Sequence, residues 1–444
     1  MTAAAATRLD LPIAQHTLAN GLRVVANPDP LIGVVAVQVR YDVGSRHEVA
    51  GRTGFAHLFE HLMFCGSAGA AAGEHFSQLQ RLGAAVNGTT SFDRTNYYET
   101  VPAEALPLAL WLEADRMATL LEAVTQESLD TQREVVKEEK RQSYDNQPYG
   151  DWGFRGFPLL FGREHPYGHL PIGSMADLDA ATLDDVHAFF RRHYGPDNAV
   201  LAVAGGVDAD AVFALAEEYF GSIPAIGRPP RPADPAVARL DAPRAEEAVV
   251  DVPSAALFRL WRAPAEPGPD LDAVRVAIEL LAAGSSSRLE NALTRRTNLA
   301  ASVHAGVSGL PGVSVAQLVL YAHPRAEVGP AVAAADAEIR RLLTDGADAV
   351  EVATAKAQIE SGHLRRLSTC AGRADELAKL ALHPGDPTTI NSRLDELAAI
   401  TVDQVDGSAR AWLAPEFAAD LSYRPSSSHE EPAHPELAAD QPVG

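Results

Sequence analysis

The chain repeats itself, and the repeat limits what it can fold into. Asp177-Leu-Asp-Ala-Ala-Thr182-Leu-Asp184-Asp-Val186, running on to Pro196, is echoed by Glu396-Leu-Ala-Ala-Ile-Thr401-Val-Asp403-Gln-Val405, running on to Pro415, about 219 residues later. A second pair, Cys65-Gly66-Ser67 and Ala283-Gly284-Ser285, gives an offset of about 218. Two independent anchors in one register predict a duplicated domain. A chain of 444 residues is also too long for one core. Between the halves, Ser222 to Glu247 is dense in Pro and Ala, including Pro229, Pro230 and Pro232, and reads as a linker. The expected layout is one domain over 1–225, a linker over 226–247, a second domain over 248–425 and a disordered Ser- and Pro-rich tail over 426–444.

The copies differ where chemistry is concentrated. Gly54-Phe-Ala-His57-Leu-Phe-Glu60-His61-Leu-Met-Phe64 places two histidines at i and i+4. On a helix they share one face and can reach a single ion. Glu60 flanks that face, where a carboxylate can act as general base on a water held by the metal without ligating the metal itself. The order His-x-x-Glu-His is an inverted zinc-peptidase signature. The bland alternative is an amphipathic helix with solvated histidines. In the register of the repeat, His57, Glu60 and His61 correspond to Arg275, Ile278 and Glu279, so the second half has no such site.

Two imidazoles hold zinc poorly, so a third donor is expected, and the acidic helical stretch Gln132-Arg-Glu-Val-Val-Lys-Glu138-Glu139-Lys-Arg is a natural source. Alternating Glu and Lys at helical spacing is also what a plain solvated face looks like. Around these segments, Asn20-Gly21 signals a hairpin, Val34 to Val43 a further strand, Gly44 to Gly54 a polar connection, and Val86 to Tyr98 a strand pair. Pro102–Leu121 and Leu129–Tyr144 read as helices.

The formal charge of -22 argues against nucleic acid as the main partner. Two cysteines, Cys65 and Cys370, make no disulfide framework and fit a reducing compartment. No basic segment leads into a long apolar run at the N-terminus, so neither signal peptide nor membrane span is expected, and a cytoplasmic location is the default.

His57-Leu-Phe-Glu60-His61-Leu-Met-Phe, Asn87-Gly-Thr-Thr, Arg133-Glu-Val-Val-Lys-Glu-Glu139 and His165-Pro-Tyr-Gly, in that order, resemble the pitrilysin/insulinase family of zinc peptidases. The resemblance spans nearly the whole chain. It implies an α+β fold of two homologous domains, each an antiparallel sheet packed by helices, as in mitochondrial processing peptidase. It implies zinc held by His57, His61 and Glu139, with Glu138 as the register-shifted alternative, and Glu60 as the base that activates water. It also implies an edge strand, carrying Asn87, Gly88 and Thr90, that pairs with peptide substrate; without it, Asn87-Gly88 is an ordinary turn. Where the family often has a further glutamate tuning the zinc site, this chain has Gln132. The family's substrate-clamping arginine and tyrosine fall at Thr294 and Ala301, so the clamp is absent here. The resemblance therefore implies the zinc-bearing subunit of a heterodimeric endopeptidase, with a homologous non-catalytic chain supplying the clamp. The competing expectation is a non-enzymatic scaffold subunit of the same fold. Cys65 reads as a buried thiol rather than a ligand, and His165 and His169 as loop-fixing residues.

Overall fold

Two mixed sheets organise the molecule, each formed by one half of the sequence, in a computed structural model that describes residues 9–230 and 238–426. The first sheet contains β1 (Ala14–Thr17), β2 (Arg23–Pro28), β3 (Val34–Tyr41), β4 (Ala85–Thr90), β5 (Thr95–Pro102) and β6 (Ala199–Gly205), in the order β1-β2-β6-β3-β5-β4. The second contains β7 (Arg244–Val250), β8 (Ala256–Ala263), β9 (Ser302–Ser308), β10 (Ser314–Tyr321) and β11 (Ala419–Pro425), in the order β7-β11-β8-β10-β9. With β1 set aside the two orders are the same, and the fold is α+β with two homologous units. Each sheet is antiparallel apart from one parallel pair, β2 with β6 and β7 with β11. Those partners lie far apart in sequence, and the long path between them leaves room for the crossover that a parallel pair requires.

Local rules account for most of the elements. Gly21 adopts φ 91° and turns β1 into β2, a conformation that favours glycine. Thr182 and Thr401, the matched residues of the repeat, each cap a helix through a capping box, over Leu183–His193 and Val402–Trp412. Both helices run into a 3-10 turn opened by a proline, Pro196 in one half and Pro415 in the other.

Strand β7 opens at Arg244, inside the stretch whose composition reads as linker. It is an edge strand with mostly exposed side chains, so no apolar alternation advertises it. Residues 231–237 of that stretch, and the expected tail beyond Ser426, lie outside the described residues.

The halves are bound together by an exchange of helices. The inner face of the first sheet packs on its own helices through Val37, Val39, Leu58, Phe59 and Leu110. Its outer face, Val25, Val200 and Ala202, is covered by Leu377, Ala378 and Ala381 from helix Cys370–Leu382 of the second half. In return, Phe157, Leu160 and Phe161 of helix Trp152–Phe161 in the first half pack with Leu260, Val315 and Ala419 of the second sheet. Each fully buried side chain of this size contributes about 1.5–3 kcal/mol, so neither sheet keeps its outer face covered without the other half.

Candidate metal centre

The motif helix, Phe55–Leu62, is two-faced. Phe55, Ala56, Leu58, Phe59 and Leu62 are buried against the first sheet and the helices around it, which leaves His57, Glu60 and His61 half-buried on the opposite face. Its N-terminus has no local capping side chain, because Gly54 occupies that position at φ 92°. The cap comes from Glu48 instead, whose buried carboxylate accepts from Gly54 N at 3.0 Å and Ala56 N at 2.8 Å and also pairs with His169 Nε2 at 3.0 Å. The stretch 44–54 is therefore more than a polar connection: it sets the pose of the helix. Nothing local in the sequence singles out Glu48, since its partners are six to eight residues on and, for His169, in a different loop.

The third donor comes from helix Gln126–Lys140, capped by Thr125. Glu139 Oε2 lies 3.2 Å from His61 Nε2 and 3.5 Å from His57 Nε2. Ligand atoms at about 2.0–2.2 Å from a tetrahedral zinc are spaced about 3.3–3.6 Å apart, so the approach of Glu139 to each imidazole is close to the spacing of such a shell, and all three donors lie within 4.8 Å of one another. Protonation suits this as well. Burial pushes the His57 imidazole down to about 4, into the neutral form that can ligate, and hydrogen bonding to His61 lowers the Glu139 carboxyl below its usual value. Glu138, the alternative donor, is spent on Arg141 and Gln142 at the surface. His57 Nδ1 is buried without a hydrogen-bond partner among the described residues.

Glu60 is held from the edge of the sheet. Thr90 Oγ1 donates to Glu60 Oε2 at 2.6 Å, and burial raises the Glu60 carboxyl above its ordinary value. Gly88 is buried next to it: a Cβ there would stand 3.0 Å from Glu60 Cγ and 3.3 Å from the rings of Phe64 and Tyr97. Asn87 is exposed, its Oδ1 accepting from Gly88 N at 2.8 Å. All three lie on β4, the last strand of the sheet, hydrogen-bonded to β5 on one side only.

A cavity of about 440 Å³ opens beside Glu60 and His61, lined also by Phe64, Phe76 and Gln132. The side chain of Gln132 meets the thiol of Cys65, which burial pushes up to about 11, and Cys65 is not in the group of converging donors formed by His57, His61 and Glu139. Thr294 Oγ1 bonds Glu290 and Ala301 is exposed, so neither can grip a peptide as an arginine and tyrosine do. A second set of donors, His75, Glu99 and Glu113, lies in the core behind Phe64. There the Arg116 guanidinium already bonds Glu113, and burial next to Glu113 holds the Glu99 carboxyl well above its usual range, so this group keeps a proton.

Comparison with known proteins agrees with the geometry. The family model described as Insulinase (Peptidase family M16) matches residues 23–150, and that described as Peptidase M16 inactive domain matches residues 180–359. The second span holds none of His57, Glu60, His61 and Glu139. The chain is 35% identical over 288 residues to the zinc protease PqqE of Helicobacter pylori, a match that spans 64% of each chain. It is 29% identical over 404 residues, 91% of each chain, to an uncharacterized zinc protease of Mycobacterium tuberculosis. Among solved structures, a protease from Helicobacter pylori superposes with a TM-score of 0.87 at 27% identity, covering 94% of this chain and 100% of that one. The first half of the periplasmic protease PqqL from Escherichia coli shares the fold, with a TM-score of 0.75 at 19% identity. Among the described residues no helix is long and apolar enough to cross a membrane. With the inverted motif on one half, its silent counterpart on the other and both family models in sequence order, the chain belongs to peptidase family M16, the insulinase family.

Proposed function

We propose that the chain is a zinc-dependent endopeptidase whose reaction runs on the first half alone. His57, His61 and Glu139 would hold the metal, and the approach of Glu139 Oε2 to both imidazole Nε2 atoms at zinc-like spacing is the observation that carries the reading. Bound zinc supplies Lewis acidity toward a water and the scissile carbonyl. Glu60 accepts the proton of the attacking water and passes it to the leaving amine. Thr90 fixes one carboxylate oxygen for that exchange, and the raised affinity of Glu60 for a proton brings it closer to the task. The open side of β4, with Asn87, Gly88 and Thr90, pairs with an extended peptide through backbone hydrogen bonds. Gly88 leaves room for the peptide and Glu60 to approach each other.

Grip on the substrate is incomplete without the arginine and tyrosine clamp, so the working enzyme is a heterodimer with a homologous chain that carries it. Zinc analysis of the purified chain, followed by cleavage of short unstructured peptides with and without chelator, tests the chemistry. One equivalent of zinc and chelator-sensitive cleavage are expected; metal-free protein that takes up no zinc points to a scaffold subunit instead. If the chain cleaves peptides at full rate alone and a clamp-bearing partner adds nothing, the heterodimer is wrong.

A further inference from the structure

A larger cavity, about 660 Å³, lies between the two halves. Most charges on its wall are balanced within the protein. Arg275 and Lys379 both reach Glu266, and Arg393 grips Asp272 with two nitrogens. Two guanidiniums are matched only in part. Arg94 spends Nη1 on the backbone oxygen and the hydroxyl of Thr89, each at 2.6 Å, and makes no ion pair among the described residues, with Asp375 and Glu60 near enough only to favour its charge at a distance. Arg40, on β3 and paired there with Asn96, makes one ion pair to the half-exposed Asp375 at 3.1 Å, while its Nε is buried with no partner. Burial and the like charge of Arg40 push Arg94 down to about 10. The two partly buried cations repel each other, Asp375 answers them from one half-exposed side, and a further anion in the cavity relieves the rest of the repulsion and the unmet Nε of Arg40.

The position of this pair relative to the metal centre names the anion. Thr89, which Arg94 grips, precedes Thr90, which holds Glu60. A peptide lying along β4 as far as Glu60 continues past Thr90 directly toward Arg94 and the cavity between the halves. We infer that Arg94 and Arg40 form a carboxylate subsite, which receives a carboxylate of the bound peptide a few residues from the scissile bond, either an acidic side chain or the peptide's own C-terminus. The subsite rests on the peptidase reading above.

The test uses matched peptides that differ only in one carboxylate: Asp against Asn at each position flanking the scissile bond, and a free C-terminal acid against its carboxamide. For the zinc-loaded chain, kcat/KM favours one acid over its amide by about 10-fold or more, in the range expected for a charge-assisted contact. Whether the side-chain pair or the terminal pair shows it identifies the source. The ratio falls to near unity in Arg94→Gln and in Arg40→Gln, and Arg94→Glu shifts the preference to lysine at the same position. Arg40→Gln does not touch β4, so it reads the subsite even if Arg94→Gln disturbs the strand. Calorimetric binding of the same pairs to zinc-loaded Glu60→Gln protein reads it without turnover. An acid-to-amide ratio near unity in the wild type, or one that survives in both glutamine variants, overturns the subsite. Absence of cleavage for every peptide, both by the chain alone and with a clamp-bearing partner added, together with a binding ratio that still collapses in Arg40→Gln, removes the peptidase reading and keeps the subsite.

Discussion

The two halves share a strand order, β1 apart, and differ most in the outward face of one helix, which carries candidate metal donors in one copy and none in the other. In the first half, the outward face of Phe55–Leu62 presents His57, Glu60 and His61 to the open end of β4 and to Glu139. In the second half, the corresponding helix Pro269–Ala282 puts Arg275, Ile278 and Glu279 in those places. Arg275 is tied to Glu266 and Asp272, Ile278 is buried, and Glu279 is half-buried with its carboxyl raised by burial. The strand order, the threonine caps and the edge strand are common to both copies. The fold therefore does not depend on the donor set, because the apolar face of the helix carries the packing in either copy.

The comparison can be broken most easily at Glu60. Glu60→Gln keeps the metal donors and loses about 10²–10⁴-fold in kcat, read by steady-state cleavage at constant zinc content; undiminished turnover removes Glu60 from the reaction. Next comes the metal. His61→Ala removes one of three donors and lowers bound zinc below one equivalent by elemental analysis, whereas Glu279→Ala, its counterpart in the second half, leaves zinc content unchanged. A second equivalent of zinc in the wild type means that the second half is not silent.

Smaller effects sharpen the role of β4. Gly88→Ala pushes a methyl against Glu60 and the ring of Phe64, so kcat drops by about 10–100-fold while zinc stays bound, the size of loss that small misplacements cause. The equivalent change at Gly306 on β9, where a Cβ meets nothing within 4 Å, has no effect on kcat.

The smallest expected effect concerns stability. Glu99 is buried and its folded-state carboxyl titrates well above the unfolded value of about 4.3. The folded state then holds a proton that the unfolded state releases, so stability is lost as pH rises above the unfolded value and toward the folded one. Glu99→Gln removes that loss. Its melting temperature rises relative to wild type at pH 8, by about 2–4 °C per kcal/mol recovered, and the difference shrinks toward pH 4. A difference that does not change with pH refutes the buried proton.

Much of this protein was legible before any coordinates. Turn chemistry at Asn20-Gly21 and the paired caps at Thr182 and Thr401 are local, so the hairpin and the duplication could be read directly. The spacing of His57 and His61 also fixes their shared face, because helical geometry leaves no other arrangement. The edge strand β7 was hidden by its exposed side chains and the composition around it.

What the sequence alone determined is therefore the local content: two similar halves, one helix carrying two imidazoles and a carboxylate, and an acidic helix able to add a third candidate donor. Only the tertiary structure decided among equals. It brought Glu139 and not its neighbour Glu138 up to the histidines, because adjacent helical residues point about 100° apart and a single one faces them. It brought Glu48 and His169 together to cap a helix that starts at a glycine, set Arg94 and Arg40 on one cavity wall with only Asp375 ion-paired to them, and exchanged helices between the halves. These are long-range pairings among chemically equivalent candidates, settled by which surfaces pack together and not by any residue's own preference.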